Sequence, residues 1–282
     1  MEIPQIISSM VGRDLSDMYV RTAHSCSEEI LRVENLTRKG FFENVSFTLH
    51  KGEILGFAGL IGAGRTEIVK SLIGADPLDS GKVFVNGKPE VIRSPMEAID
   101  NGIGLIPEDR RNEGIVKCRS IRDNISYTIL EKLSHWGIIS AGKLASKTNH
   151  LMEQLEIRAP GVYSLVGQLS GGNQQKVVVA KWLAADCNVL IMDEPTRGVD
   201  VGAKAEIYGL MDELTRKGHG IILISSELPE VMGMSDRILV VSEGRITCEV
   251  DPRTTTEEEI LAHALPLHDT DVRPGKEEKY EG

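Results

Sequence analysis

The first residues whose types and spacing point to chemistry are Gly59-Leu60-Ile61-Gly62-Ala63-Gly64-Arg65-Thr66. They read as G-x-x-x-x-G-[K/R]-T. They follow an apolar run, Ile54–Ala58, and lead into a segment, Arg65–Ile73, that reads as a helix stopped by Gly74. Strand, glycine loop and helix in that order make a phosphate cradle. Glycines let backbone N–H groups converge on phosphate oxygens, and the helix N-terminus adds the positive end of its dipole. Gly59, Gly62, Ala63, Gly64, Arg65, Thr66 and Glu67 are the residues such a loop brings to a nucleotide, with the Thr66 hydroxyl directed at Mg2+. Taken alone, the octet also reads as a glycine-rich turn between two elements. Arg65 stands where lysine is expected; it keeps the charge but is planar and forked.

A second constellation is Val189-Leu190-Ile191-Met192-Asp193-Glu194. A buried strand ending in Asp193 delivers a carboxylate that can hold Mg2+ beside phosphates. Glu194 can orient or deprotonate an attacking water. A strand ending in solvated acids is the plainer reading, and the upstream phosphate loop tips the balance against it.

The third motif is Leu169-Ser170-Gly171-Gly172-Asn173-Gln174-Gln175-Lys176. With it the chain resembles the ATP-binding cassette ATPases, whose signature is LSGG followed by Gln. The resemblance implies a P-loop α/β cassette, with a mixed sheet core, an antiparallel β-subdomain and a helical signature subdomain. It implies ATP and Mg2+ as ligands, with Ser170, Gly171, Gly172 and Gln174 facing a nucleotide from a helix N-terminus. The stretches RSPMEAIDNGIGLIPEDRRNEGI, DEPTRGVDVGAK and ISSELPEVMGMSDRI narrow it. They are similar to the C-terminal cassette of tandem ATPases that drive ribose-, galactoside- and xylose-type sugar importers. Ile7–Tyr19, ending in VGRDLSDMY, resembles the linker between the two cassettes.

That family carries Lys in the phosphate loop, Gln before the helical subdomain and His after the last core strand. Here those positions hold Arg65, Glu108 and Ser226. Glu108 near phosphate is an extra Mg2+ ligand or a repulsion, and Ser226 is too short for the imidazole's contact. The resemblance therefore implies a catalytic set of Glu194, Ser226 and Glu108 in a site weakened at Arg65, Glu108 and Ser226. Thr66, Asp193 and Glu194 remain, with Thr66, Asp193 and Glu108 toward Mg2+. It also implies an intact signature that completes the site of a partner cassette, or of a second copy of this chain. A transmembrane sugar permease is the implied partner, gripped by Glu108–Gly114 and the helical subdomain, and an extracytoplasmic sugar-binding protein acts indirectly. Without the resemblance, Asp109-Arg110-Arg111 reads as a solvated charge run. A regulatory module that binds nucleotide without hydrolysis is the alternative. Phe41 or Phe42 is the candidate for stacking on adenine. Long coiled-coil ATPases of DNA repair are disfavoured, because no heptad run appears.

The elements that must position these residues are legible in outline. Leu31–Leu36 and Val45–Leu49 alternate like half-buried strands, and Val83–Val85 before Asn86-Gly87 reads as a strand and hairpin turn. Val189–Met192, Ile221–Ser225 and Ile238–Val241 suit buried parallel strands. Ser94-Pro95-Met96-Glu97 and Thr256–Glu259 are capping-box helix starts, and Ala203–Lys217 is an amphipathic helix ended by Gly218. Residues 121–161 carry helical spacing. The expected organisation is an arm over 1–28, a cassette over 29–250 with a helical subdomain over about 115–185, and a helix and polar tail over 251–282.

Composition sets the outer bounds. The 282 residues hold 32 Lys and Arg against 42 Asp and Glu, a net charge of −10. This balance argues against nucleic acid as a partner and against an anionic lipid surface held by charge alone. Cys26, Cys118, Cys187 and Cys248 are scattered, so neither a zinc site nor a disulfide framework is expected. No secretory signal and no membrane-spanning run is apparent. The expected location is peripheral, at the cytoplasmic face of the membrane through a partner, with the isolated chain soluble.

Overall fold

Alternating apolar residues build β1 (Glu29–Arg38) and β2 (Phe42–His50), which pair antiparallel. The structure is a computed structural model and describes Tyr19, Arg21 and residues 28–130, 134–135 and 138–266. Most of the expected arm and the polar tail lie outside the described residues. β3 (Ile54–Gly59) leads into α1 (Arg65–Leu72). β4 (Ser80–Val85) and β5 (Lys88–Glu90) form the expected hairpin, with Asn86 and Gly87 at φ 50° and 75°. Positive φ at both central residues gives the turn the twist of its strands. These strands make a four-stranded antiparallel sheet in the order β2-β1-β4-β5.

Next come α2 (Pro95–Asp100), β6 (Ile103–Ile106) and a π-helical turn over Arg110–Gly114. The expected helical stretch holds α3 (Ile121–Ser126), a minimal antiparallel ladder of β7 (Ser134–His135) and β8 (Ile138–Ile139), and α4 (Ala141–Gln154). α5 (Gly171–Ala184), β9 (Val189–Asp193), α6 (Val201–Arg216) and β10 (Gly220–Ile224) follow. The described chain closes with α7 (Leu228–Met234), β11 (Arg237–Ser242), β12 (Arg245–Val250) and α8 (Glu257–Ala264).

The second sheet runs β12-β11-β3-β10-β9-β6 and is parallel except for β12, which pairs antiparallel with β11. β9 and β10 are buried throughout, as strands covered on both faces must be. Their alternation divides two cores. Leu190, Met192, Ile221 and Leu223 face the core shared with α3 to α6. Val189, Ile191, Ile222 and Ile224 face the core shared with α1 and the antiparallel sheet.

Two helix starts differ from expectation. Ser94 caps α2 by accepting from Glu97 N, but the Glu97 carboxylate reaches back to Arg93 N, so only half of the box forms. α6 begins at Val201, two residues before Ala203, because Asp200 accepts from Ala203 N and supplies the cap. The box at Thr256 and Glu259 is complete. α8 lays Ile260 and Ala264 against Ala58, Val231, Ile238 and Val240. Replacing Thr256 by Ala is expected to cost about 1 kcal/mol. Hydrogen exchange should show the loss in the α8 amides, with β9 and β10 unchanged; equal loosening of all three would show that α8 is no separate unit.

Candidate functional site

β3 ends under the loop Gly59–Gly64, and α1 begins at Arg65. Gly64 sits at φ 99°, and a Cβ there would lie 3.1 Å from Gly244 Cα and 3.4 Å from the Phe41 carbonyl oxygen. Gly62 at φ 82° has open space on its Cβ side. Gly64 offers α1 no side-chain cap, so the first-turn N–H groups stay available to an anion. Glu67 lies in that first turn, half-buried.

Parallel pairing brings the ends of β3, β9 and β10 to one edge of the sheet. There the Thr66 hydroxyl donates to Asp193 Oδ2 at 2.9 Å, joining two motifs 127 positions apart. Asp193 is buried and its Oδ1 has no hydrogen-bond partner. Burial pushes its carboxyl up to about 6, against the opposing Thr66 hydrogen bond. Glu194 takes a left-handed turn at φ 48° and its N–H donates to the Ile224 carbonyl at 2.8 Å. Its Oε2 accepts from the Ser226 hydroxyl at 3.1 Å. Burial raises the Glu194 carboxyl as well, while the Ser226 hydrogen bond pulls it down.

Arg65 is buried, and its Nη1 donates to the Ser225 carbonyl at 2.6 Å. Burial lowers its affinity for a proton, and Glu194 and Asp193 offset part of that. The guanidinium is therefore spent partly on the loop after β10. Thr66, Asp193, Glu194, Ser226 and Arg65 form one connected set.

Glu108 is not part of that set. It forms an ion pair with Arg197, and among the described residues no hydrogen bond links it to Thr66 or Asp193. Its expected role at Mg2+ would require the carboxylate to leave this exposed ion pair and turn toward the phosphate loop. Ser170 caps α5, accepting from Asn173 N at 3.4 Å and from Asn173 Nδ2 at 2.9 Å, and it is exposed with Gly171 half-buried beside it. Gln174, expected to face a nucleotide, is buried in this chain, and its Nε2 donates to the carbonyls of Leu169 and Val166. No hydrogen bond joins the signature residues to the phosphate loop among the described residues. Phe42 is buried, which leaves Phe41, half exposed under the Arg38 guanidinium at 3.9 Å. Arg110, expected in a solvated charge run, is buried; Asp109 caps the π-helical turn by accepting from Arg111 N and Asn112 N.

Sequence reasoning passed over Ser225, Thr196 and Glu230. Glu230 on α7 is fully buried, and its Oε2 accepts from Ser225 Oγ at 2.5 Å and Thr196 Oγ1 at 3.1 Å. Thr196 and Ser225 follow the sheet-edge ends of β9 and β10, and that position was their signal. Glu230 gave none.

The donor set at the sheet edge fits a hard divalent cation completed by phosphate: the Thr66 hydroxyl and the Asp193 carboxylate, whose Oδ1 is buried without a partner. Among the described residues no group of His, Cys, Asp and Glu side chains could hold a metal unaided.

The glycine loop, the acid-ended strand beside it and the helix that starts within LSGG behind an exposed Ser170 define a nucleotide-binding P-loop cassette. Residues 42–197 match the ABC transporter family, and the chain belongs to it as an ATPase cassette. It is 48% identical over 267 residues to a protein named putative ribose/galactose/methyl galactoside import ATP-binding protein 1 from Rhizobium etli, covering 95% of this chain and 51% of that protein. It is 47% identical to the ribose import ATP-binding protein RbsA of Bacillus subtilis, covering 93% of this chain and 53% of that one. The chain thus spans about half the length of the curated relatives it matches. A crystal structure of a nucleotide-free ATP-binding cassette from an ABC transporter superposes with a TM-score of 0.68 at 25% identity, over 82% of this chain and 93% of that one.

Proposed function

We propose that this chain is the second cassette of a sugar importer's ATPase, joined through its arm (1–28) to a first cassette and working beneath a membrane permease. The observation that carries the nucleotide reading is the meeting of Thr66 and Asp193 around an unpartnered carboxylate oxygen. The names of its relatives support the sugar, and their being about twice its length supports a linked first cassette. Thr66 and Asp193 would hold Mg2+, which when bound neutralises phosphate charge. The loop amides and α1 would bind the phosphates, and Phe41 would stack on the base. No described helix is long and apolar enough to cross a membrane. The permease would supply the membrane contact at the cytoplasmic face and take sugar from an extracytoplasmic binding protein.

Its own site is proposed to bind ATP and turn over slowly. Arg65 is committed to the Ser225 carbonyl, Glu108 to Arg197, and Ser226 reaches only Glu194. Ser170, Gly171 and Gly172 would instead face the ATP held by the partner cassette. The permease is proposed to seat in a cleft of about 680 Å3 between the π-helical turn, α3 and α4, with Val116, Tyr127 and Leu144 in its wall.

In the linked two-cassette ATPase, Glu194→Gln is expected to lower turnover by less than about twofold, because the residue serves the slow site. Near-complete loss of ATPase would overturn the asymmetric assignment. ATP binding without any hydrolysis, in the pair as in the chain, would favour the regulatory module.

A further inference from the structure

Arg110 makes contacts that no motif explains. It opens the π-helical turn Arg110–Gly114 and is 5% exposed. Its Nη1 donates to the Arg197 carbonyl at 2.7 Å and its Nη2 to the Gly198 carbonyl at 3.3 Å. These carbonyls belong to the turn between Glu194 and α6. Its Nη2 also lies 2.9 Å from where a Cβ on Gly171 would stand, so the guanidinium packs against the first residue of α5. The far end of the same turn is tied to α5 too, because Lys181 Nζ donates to the Gly114 carbonyl at 2.9 Å. The turn is thus strapped to the signature helix near both ends, and its middle residues Asn112 and Glu113 line the cleft beside α3 and α4.

A buried guanidinium that meets carbonyls rather than a carboxylate is a costly group to keep for packing alone. Its planar fork fits the paired carbonyls, which a lysine ammonium matches less well. Burial lowers its affinity for a proton, with Arg111 acting in the same sense and Asp109 against.

We infer that Arg110 is a positioning residue that sets the N-terminus of the signature helix against the 197–198 turn, and carries displacement of the cleft wall to both. The inference rests on the proposal that Ser170–Gly172 complete the partner cassette's site. Without the fork, the helix start and the turn would no longer be held in register, so the partner's ATP would bind but turn over poorly. Binding at this chain's own phosphate loop would be untouched.

The experiment compares Arg110→Lys, Arg110→Met and Ser170→Arg in the linked two-cassette ATPase assembled with its permease. Steady-state ATPase, affinity for a fluorescent ATP analogue and the thermal midpoint are read for each. Arg110→Lys is expected to lower kcat about fivefold and Arg110→Met about twentyfold, with KM within about twofold and analogue affinity unchanged. A residue that only filled space would move the midpoint and leave the kcat of folded Arg110→Lys alone. That result, or a kcat within twofold for both variants while Ser170→Arg abolishes turnover, overturns the inference. If Ser170→Arg itself leaves turnover intact, the signature assignment beneath it fails instead.

Discussion

Replacing Ser170 by Arg is expected to reduce ATP turnover of the two-cassette assembly at least about a hundredfold, the scale of losing preorganised donors at a site of developing charge. Ser170 is exposed and its hydroxyl caps α5. Its backbone and the following glycine amides point at whatever lies before that helix. The glycines allow close approach on the inner side too: a Cβ at Gly172 would lie 2.9 Å from Ala203 Cβ. An arginine side chain would fill the space a partner's phosphate needs. The fold would lose only the cap, about 1 kcal/mol. Analogue binding at the Thr66 and Asp193 site should persist, since no described hydrogen bond joins the two regions. Full ATPase in the variant would mean that the signature completes no working site. Loss of ATPase together with loss of binding at this chain's own loop would mean misfolding rather than a broken composite site.

How far the sequence carried this reading depended on whether a feature was local. The glycine loop, the acid-ended strand β9 and the Thr256 cap are written in neighbouring residues, and their positions stand as read. β6 was missed because Ile103–Ile106 is a short apolar run between Gly102 and Pro107, with no alternation to separate it from a loop. α7 has no side-chain cap and contains Gly233, whose missing Cβ is where the Tyr19 ring lies. Arg65 and Arg110 were legible as charges, but their partners stand 160 and 87 positions away. A spacing rule reports which residues can meet on one element; it carries no signal for a guanidinium that folds beneath a loop onto a distant carbonyl. Glu108 drew its expected role from its place in a motif, which carried no signal for its ion pair with the distant Arg197.

The buried acid on α7 makes the second large prediction. Burial pushes Glu230 up from an ordinary 4.5 to about 7, although hydrogen bonds from Ser225 and Thr196 favour its charged form. In the unfolded chain Glu230 ionises near the ordinary value, so between about 4.5 and 7 the folded state holds the extra proton. Stability must then fall as pH rises through that window, by about 3 kcal/mol in all, since one unit is worth about 1.4 kcal/mol. Asp193 slopes the same way at lower pH, from 3.8 to about 6, so the wild-type curve alone does not isolate Glu230. Glu230→Gln does. The carboxamide keeps an oxygen for the Ser225 and Thr196 hydroxyls but puts an N–H2 where Oε1 lies buried without a partner. That substitution costs about 1–3 kcal/mol wherever the wild-type carboxyl is neutral. Denaturant unfolding should therefore show the variant less stable at pH 5, and level with or above the wild type at pH 8. Parallel curves would mean that Glu230 stays charged in the fold. The crossing would show that the loops bearing Glu194 and Ser226 are joined through Thr196 and Ser225 by a group that carries a proton at low pH.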